Sequence, residues 1–117
     1  MTSQVVPSQA VLRLGEAMER TSIDATGVAR ILGKDPKTVL RWLRRATVPR
    51  WETREQLLAL DVVLERLADV IQPEAAEEWL FTPVPALDYQ RPVDLVRSGD
   101  YRRVLALIDG LGEGVFA

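Results

Sequence analysis

Apolar residues recur at intervals of three and four along most of the chain, in stretches separated by proline, glycine and short polar turns. From Ser8, Val11, Leu14 and Met18 keep helical spacing until Thr21 and Ser22. A second stretch carries Val28, Ala29, Ile31 and Leu32, with Ser22 or Asp24 available as its cap. Gly33 then offers a positive-φ position where that helix must stop. Asp35 as N-cap and Pro36 at the first helical position restart the chain as another helix. In it Val39, Trp42 and Leu43 fall at i, i+3 and i+4, one stripe predicted to pack on Val28, Ile31 and Leu32.

Ala46-Thr47-Val48-Pro49 breaks the rhythm, because the residue before proline is pushed out of the helical region. The longest pattern follows over Glu52 to Ile71, about five turns, where Leu57, Leu60, Leu64, Leu67 and Ile71 step by three and four. Leu58, Val63 and Val70 widen the stripe, and Asp61, Glu65 and Asp69 are expected on the opposite, solvated face. Two heptads of such spacing could form a coiled-coil seam, but the width of the stripe favours core packing. Pro73 opens a short helix in which Ala75, Trp79 and Leu80 are expected inside, and Thr82-Pro83-Val84-Pro85 reads as an extended connection. Pro92 starts another short helix, closed by Ser98-Gly99. Asp100 is expected to cap a last one with Val104, Leu107, Ile108 and Leu111 inside and Gly110, Gly112 and Gly114 ending it. No β-rich run or internal repeat interrupts this order. The fold class is all-α: a compact helical bundle with a helix-turn-helix at about 24–45, a long connecting helix at 52–71, and two regions, 1–72 and 73–117.

Charge changes how the helix-turn-helix is read. The net charge is only −2, but residues 1–51 hold nine Lys/Arg against four Asp/Glu, and residues 52–117 hold six against thirteen. A basic head on an acidic body orients a protein on a polyanion. Lys37, Arg41 and Arg44 share the face opposite the apolar stripe, and Lys34, Thr38, Leu40 and Arg45 lie beside it. These seven residues are the candidate DNA-binding set, in the arrangement that enters a major groove. Such a reader of operator DNA presents two recognition helices about one DNA turn apart, so a homodimer is expected.

Composition narrows the chemistry. With 47% apolar residues the chain is expected to be globular, and with no apolar run near membrane-spanning length and no signal-like opening it is expected in the cytoplasm. The absence of cysteine and histidine removes thiolate nucleophiles, the commonest metal ligand and the commonest general base. No cofactor, metal site or catalytic constellation is expected. Gly110-Leu111-Gly112-Glu113-Gly114 has neither the strand before it nor the helix after it that a phosphate-cradling loop needs. Glu77 and Glu78 are adjacent and diverge, so they make no two-carboxylate site. Trp42, Trp51 and Trp79 are read as core anchors. The ending Val115-Phe116-Ala117 is apolar where chain ends are ordinarily polar, which suggests that it folds back or enters a partner.

The segment Trp79 to Ala117 adds a family likeness. An aromatic helix is followed by Pro85-Ala86-Leu87, then Arg91-Pro92-Val93-Asp94-Leu95, then a helix with Val104, Leu107, Ile108 and Gly110. In order and spacing it resembles the toxin-binding domain of the Xre/MbcA/ParS antitoxins, and with the upstream helix-turn-helix the likeness extends over most of the chain. The resemblance implies a non-enzymatic antitoxin paired with a RES-domain toxin, an enzyme that destroys NAD⁺. It also implies that the C-terminal end plugs the toxin's active site and that the complex can repress its own operon. Carried onto this sequence, Pro85, Leu87, Arg91, Pro92, Asp94 and Leu95 form a platform. Arg91, Gly110, Gly112, Glu113, Gly114, Val115, Phe116 and Ala117 become the toxin-binding candidates. Two alternatives stay open from the residues alone: a stand-alone regulator resembling an excisionase or MerR-type head, which would continue into a β wing, and a helical adaptor that binds neither DNA nor toxin.

Overall fold

The structure, a computed structural model, describes residues 9–114. Seven α-helices occur among these residues: α1 (Gln9–Thr21), α2 (Ala25–Leu32), α3 (Pro36–Leu43), α4 (Trp51–Ala68), α5 (Ala76–Leu80), α6 (Pro92–Ser98) and α7 (Tyr101–Gly112). Two 3-10 turns, Pro73–Ala75 and Pro85–Leu87, join them, and no strand occurs among the described residues. The expectations about residues 1–8 and about Val115, Phe116 and Ala117 lie outside the described residues.

The caps act as the sequence predicts at the helix-turn-helix. Asp24, not Ser22, caps α2, its Oδ1 accepting from the Gly27 N–H at 2.8 Å. Gly33 turns the chain with φ +69°, and the N–H of Lys34 closes on the Ala29 carbonyl at 2.8 Å. Asp35 Oδ1 accepts from the Lys37 N–H at 2.8 Å, with Pro36 in the first turn of α3.

The core is organised on α4, which packs against α1 along one side and against α6 and α7 along another. Leu57, Leu60, Leu64 and Leu67 are fully buried within the single chain, so the stripe belongs to the core and leaves no coiled-coil seam for a second subunit. Each such leucine contributes about 1.5–3 kcal/mol of burial, far more than any one of the surface ion pairs. The same buried cluster takes in Ala10, Leu14 and Ala17 of α1, Val28 and Ile31 of α2, Val39 and Trp42 of α3, and Val93, Val96, Val104 and Ile108 of the last two helices.

Several register expectations are corrected. Asp61 does not face solvent; it is fully buried where α1 crosses α4. Arg13 of α1 reaches over to Glu65 with Nη2–Oε2 at 2.9 Å, and this pair roofs the site. Trp51 is 65% exposed at the start of α4, because the buried stripe begins only at Thr53 and Leu57. The α4 helix stops at Ala68, leaving Ile71 half-buried beyond it. The tight turn at Pro73–Ala75 shifts the register of α5, so Ala76 is buried in place of Ala75. Trp79, Leu43 and Leu111 are only half-buried, and Pro85 starts a 3-10 turn instead of prolonging the extended link. Asp100 precedes α7 without a capping bond; its carboxylate turns to Arg103 at 3.5 Å. Gly110 does not end α7 but lies buried inside it, and the helix runs on to Gly112.

Candidate functional site

Two surfaces carry the candidate residues. On the first, α3 turns Val39 and Trp42 inward and leaves Lys37, Leu40 and Arg41 exposed along its outer face. Lys34 precedes them in the turn, Arg44 and Arg45 follow, and Thr38 is half-buried. The structure therefore brings the seven residues predicted for DNA onto one continuous surface at α3 and its flanks. Arg45 ends that helix in a left-handed conformation, φ +62°.

The cations of the chain divide sharply. Arg13, Arg20, Arg30, Arg66, Arg91, Arg97 and Arg103 each meet a carboxylate. Lys34, Lys37, Arg41, Arg44, Arg45, Arg50, Arg54 and Arg102 pair with none among the described residues, and all but Arg102 fall within residues 34–54, where Asp35, Glu52 and no other acidic residue precede Arg54. Their charge is uncompensated at short range, which is the electrostatic footprint of a polyanion contact. Arg30 does not belong to it: its guanidinium bonds Glu77 at 2.9 Å and lies 3.9 Å from the Phe81 ring centroid.

The second surface is the module from α5 to α7. Leu87, Pro92, Leu95 and the neighbouring valines 93 and 96 are buried and anchor the platform in the core. Arg91 holds Asp94 in a two-point fork, Nε to Oδ2 at 2.9 Å and Nη2 to Oδ1 at 2.8 Å. The fork raises the affinity of Arg91 for its proton and holds the Asp94 carboxyl below the usual carboxylate range. Arg91 also lies 5.6 Å from the Phe81 centroid, so Phe81 links Arg91 to Arg30 of α2. Asp88 and Tyr89 both adopt positive φ in the loop before α6, and Tyr89 is 73% exposed.

Of the toxin-binding candidates, Arg91 is a half-exposed part of the platform and Gly110 is buried in α7. Gly112, Glu113 and Gly114 are exposed at the end of that helix, and Gly112 allows Val70 of the α4 end to approach closely. Sequence spacing missed Arg97, which donates from α6 to the last carbonyls of α2, because a contact spanning 66 residues has no local signal. It also missed Arg50, whose neighbourhood takes shape only when α3 meets the start of α4. Among the described residues no acidic cluster could hold a metal ion, and no helix is long and apolar enough to cross a membrane.

Comparison with known proteins points to one family. Residues 60–114 match the antitoxin Xre/MbcA/ParS C-terminal toxin-binding domain. Over 100 residues the chain is 40% identical to the mycobacterial cidal antitoxin MbcA of Mycobacterium tuberculosis and of Mycobacterium bovis, covering 86% of this chain and 88% of theirs. The fold also matches a chain in the crystal structure of the M. tuberculosis MbcT-MbcA toxin-antitoxin complex with a TM-score of 0.80 at 36% identity, covering 94% of this chain and 99% of that one. From this extent of identity and shared fold, the chain belongs to the Xre/MbcA/ParS antitoxin family.

Proposed function

We propose that the chain is the antitoxin of a toxin–antitoxin pair and neutralises a RES-domain, NAD-degrading toxin by inserting its C-terminal segment into the toxin's active site. The observation that carries this is the near-complete structural match to a chain from a toxin–antitoxin complex, with the matched toxin-binding domain running into the first residues of the candidate plug, to residue 114. In this reading the region 73–117 is the toxin-binding module. The buried residues of α6 and the Arg91–Asp94 fork fix its shape, and Gly112, Glu113, Gly114, Val115, Phe116 and Ala117 enter the cleft. The protein acts as an inhibitor, without catalysis or cofactor, in the cytoplasm.

The test is growth rescue. Co-expressed with its cognate toxin, the full chain preserves growth and cellular NAD⁺, whereas a chain lacking Gly112 to Ala117 keeps its helical circular dichroism and loses rescue. Rescue by the truncated protein would remove the plug from the mechanism.

The region 1–72 supports a second role on the same chain, operator binding by a homodimer that autoregulates the operon. The uncompensated cations at α3 and its flanks favour it, since outside residues 34–54 Arg102 alone lacks a carboxylate partner among the described residues. Arg41→Ala with Arg44→Ala weakens binding to the upstream promoter duplex and flattens its salt dependence. Unchanged binding would take both residues out of the interface.

A further inference from the structure

Asp61 is the one residue among those described whose buried side-chain polar atoms have no hydrogen-bond partner. It is fully buried where α1 crosses α4, and both carboxyl oxygens are unsatisfied. Buried polar groups in a folded protein are ordinarily paired, so the exception asks what satisfies it when it ionises. The buried face of α1 offers little. It consists of Ala10, Val11, Leu14, Ala17 and Thr21, and the Thr21 hydroxyl already donates to the Ala17 carbonyl at 2.7 Å.

The cation that acts on Asp61 is Arg13 of α1, and it is engaged one turn further along α4. Arg13 donates to Glu65 from Nε to Oε1 at 3.2 Å and from Nη2 to Oε2 at 2.9 Å, in a pair whose side chains are 31% and 35% exposed. Asp61 and Glu65 lie four residues apart on one helix, so their Cβ atoms stand about 5–6 Å apart. A guanidinium on a long side chain reaches either carboxyl group by rotation about its own bonds, with α1 in place. Glu65 is the other charge that acts on Asp61, and the exposed Glu16 of α1 acts on Arg13. The remaining charges of the seam, Arg20 and Asp69, pair with each other at 2.6 Å, about two turns further along α4.

Two arrangements follow from the proton. A neutral Asp61 is tolerated in an apolar seam, and Arg13 is then free to serve Glu65 at the surface. An ionised, unpaired Asp61 in the same seam is far costlier than an unpaired Glu65 that water can reach. Burial lifts the Asp61 carboxyl to about 8, so both arrangements lie within the range in which the protein can be studied folded.

We propose that Arg13 is a two-position latch on the α1–α4 seam: it forks Glu65 while Asp61 is protonated, and when Asp61 releases its proton to solvent it turns inward to that carboxylate and leaves Glu65 to water. Because α1 also packs against α3, the seam that changes is one of the surfaces that seat the basic helix. The latch depends on neither DNA nor toxin.

Nuclear Overhauser contacts in the full chain, followed from about pH 5 to about pH 10, test it. The Arg13 δ-protons are expected to contact the Glu65 γ-protons at the acid end and the Asp61 β-protons at the alkaline end, with the exchange centred where the Asp61 carboxyl carbon titrates. Glu65 contacts that persist at every pH would overturn the latch, whether or not Asp61 titrates. Asp61→Asn, neutral throughout, is expected to hold Arg13 on Glu65 over the whole range, and an exchange that survives in this variant would also overturn it. Glu65→Gln, at a partly exposed position, keeps the test decisive if Asp61→Asn folds poorly. Without the competing carboxylate the inward contact is expected to appear about one pH unit lower, and its appearance at the wild-type midpoint would overturn the proposal.

Discussion

Arg97 of α6 donates from Nε to the carbonyl of Ile31 at 2.7 Å, and from Nη2 to the carbonyl of Arg30 at 2.8 Å, which puts a cation on the C-terminal end of α2. These carbonyls have no helical donor and sit at the negative end of the helix, so the contact both satisfies and neutralises them. Gly33 and the turn into α3 follow immediately. The C-terminal module thus holds the point from which the basic helix is aimed.

Replacing Arg97 by Ala is expected to lower stability by about 1–2 kcal/mol, the range for hydrogen bonds from a charged donor at a partly exposed site. Amide exchange at Gly33 and Lys34 should quicken before exchange in α4. Equal quickening everywhere would assign Arg97 a general role and not the local one.

Asp61 gives the chain a pH dependence of unusual direction. Burial raises its carboxyl from 3.8 to about 8; the Arg13 charge opposes this and Glu65 reinforces it. Both carboxyl oxygens lack partners. The folded state keeps the proton where the unfolded chain has released it, so this group's stability is complete below about pH 4, falls as pH rises to about 8, and is flat above. The melting temperature of the wild type should fall across that window. Asp61→Asn should remove the slope, and Asp61→Leu should be more stable by on the order of 2 kcal/mol at pH 8. A slope that persists in Asp61→Asn would place its origin elsewhere.

Gly27 in α2 has no room for a methyl group. A Cβ there would strike Glu77 and come within 2.8 Å of Ile23 Cγ2. Gly27→Ala should push Glu77 off Arg30 and cost about 1–3 kcal/mol despite the better helix propensity of alanine. Gly15, with open space around its Cβ position, is the control, and Gly15→Ala should be neutral or stabilising. Equal effects at both sites would refute the steric account.

Phe81 faces Arg30 and Arg91 from different segments, so Phe81→Leu, which keeps the apolar bulk, should lose roughly 0.5–1 kcal/mol per cation contact. A double-mutant cycle with Arg30→Met measures the coupling. A coupling energy of zero would reduce Phe81 to packing.

The parts of this fold that were legible in the sequence are those in which one residue dictates a backbone event. Asp24, Gly33, Asp35 and Pro36 each satisfy or release a specific N–H or φ, and the helix-turn-helix followed from them without knowledge of neighbours. The toxin-binding module was legible through its family motif. What escaped depends on contacts across the chain. The Asp61, Glu65, Asp69 series has the spacing of a solvated stripe, and only the passage of α1 over α4 buries its first member. Trp51 carries an apolar side chain at a plausible phase, yet it faces outward from the first turn of α4 while Thr53 of the same turn is buried. A groove beside Thr53 is formed where α3 meets the start of α4, and neither helix alone encodes it.

A single apolar cluster runs from Ala10 to Ile108. Cut after residue 72, the chain would expose Val63 on α4 and Val70 just beyond it to water and strip the Arg97 cap from α2. The two halves are therefore expected to melt as one cooperative unit, in a single transition with coincident midpoints by circular dichroism and tryptophan fluorescence. Proteolytic trimming of the C-terminal module would then unfold the basic helix as well, without touching a single residue of α3.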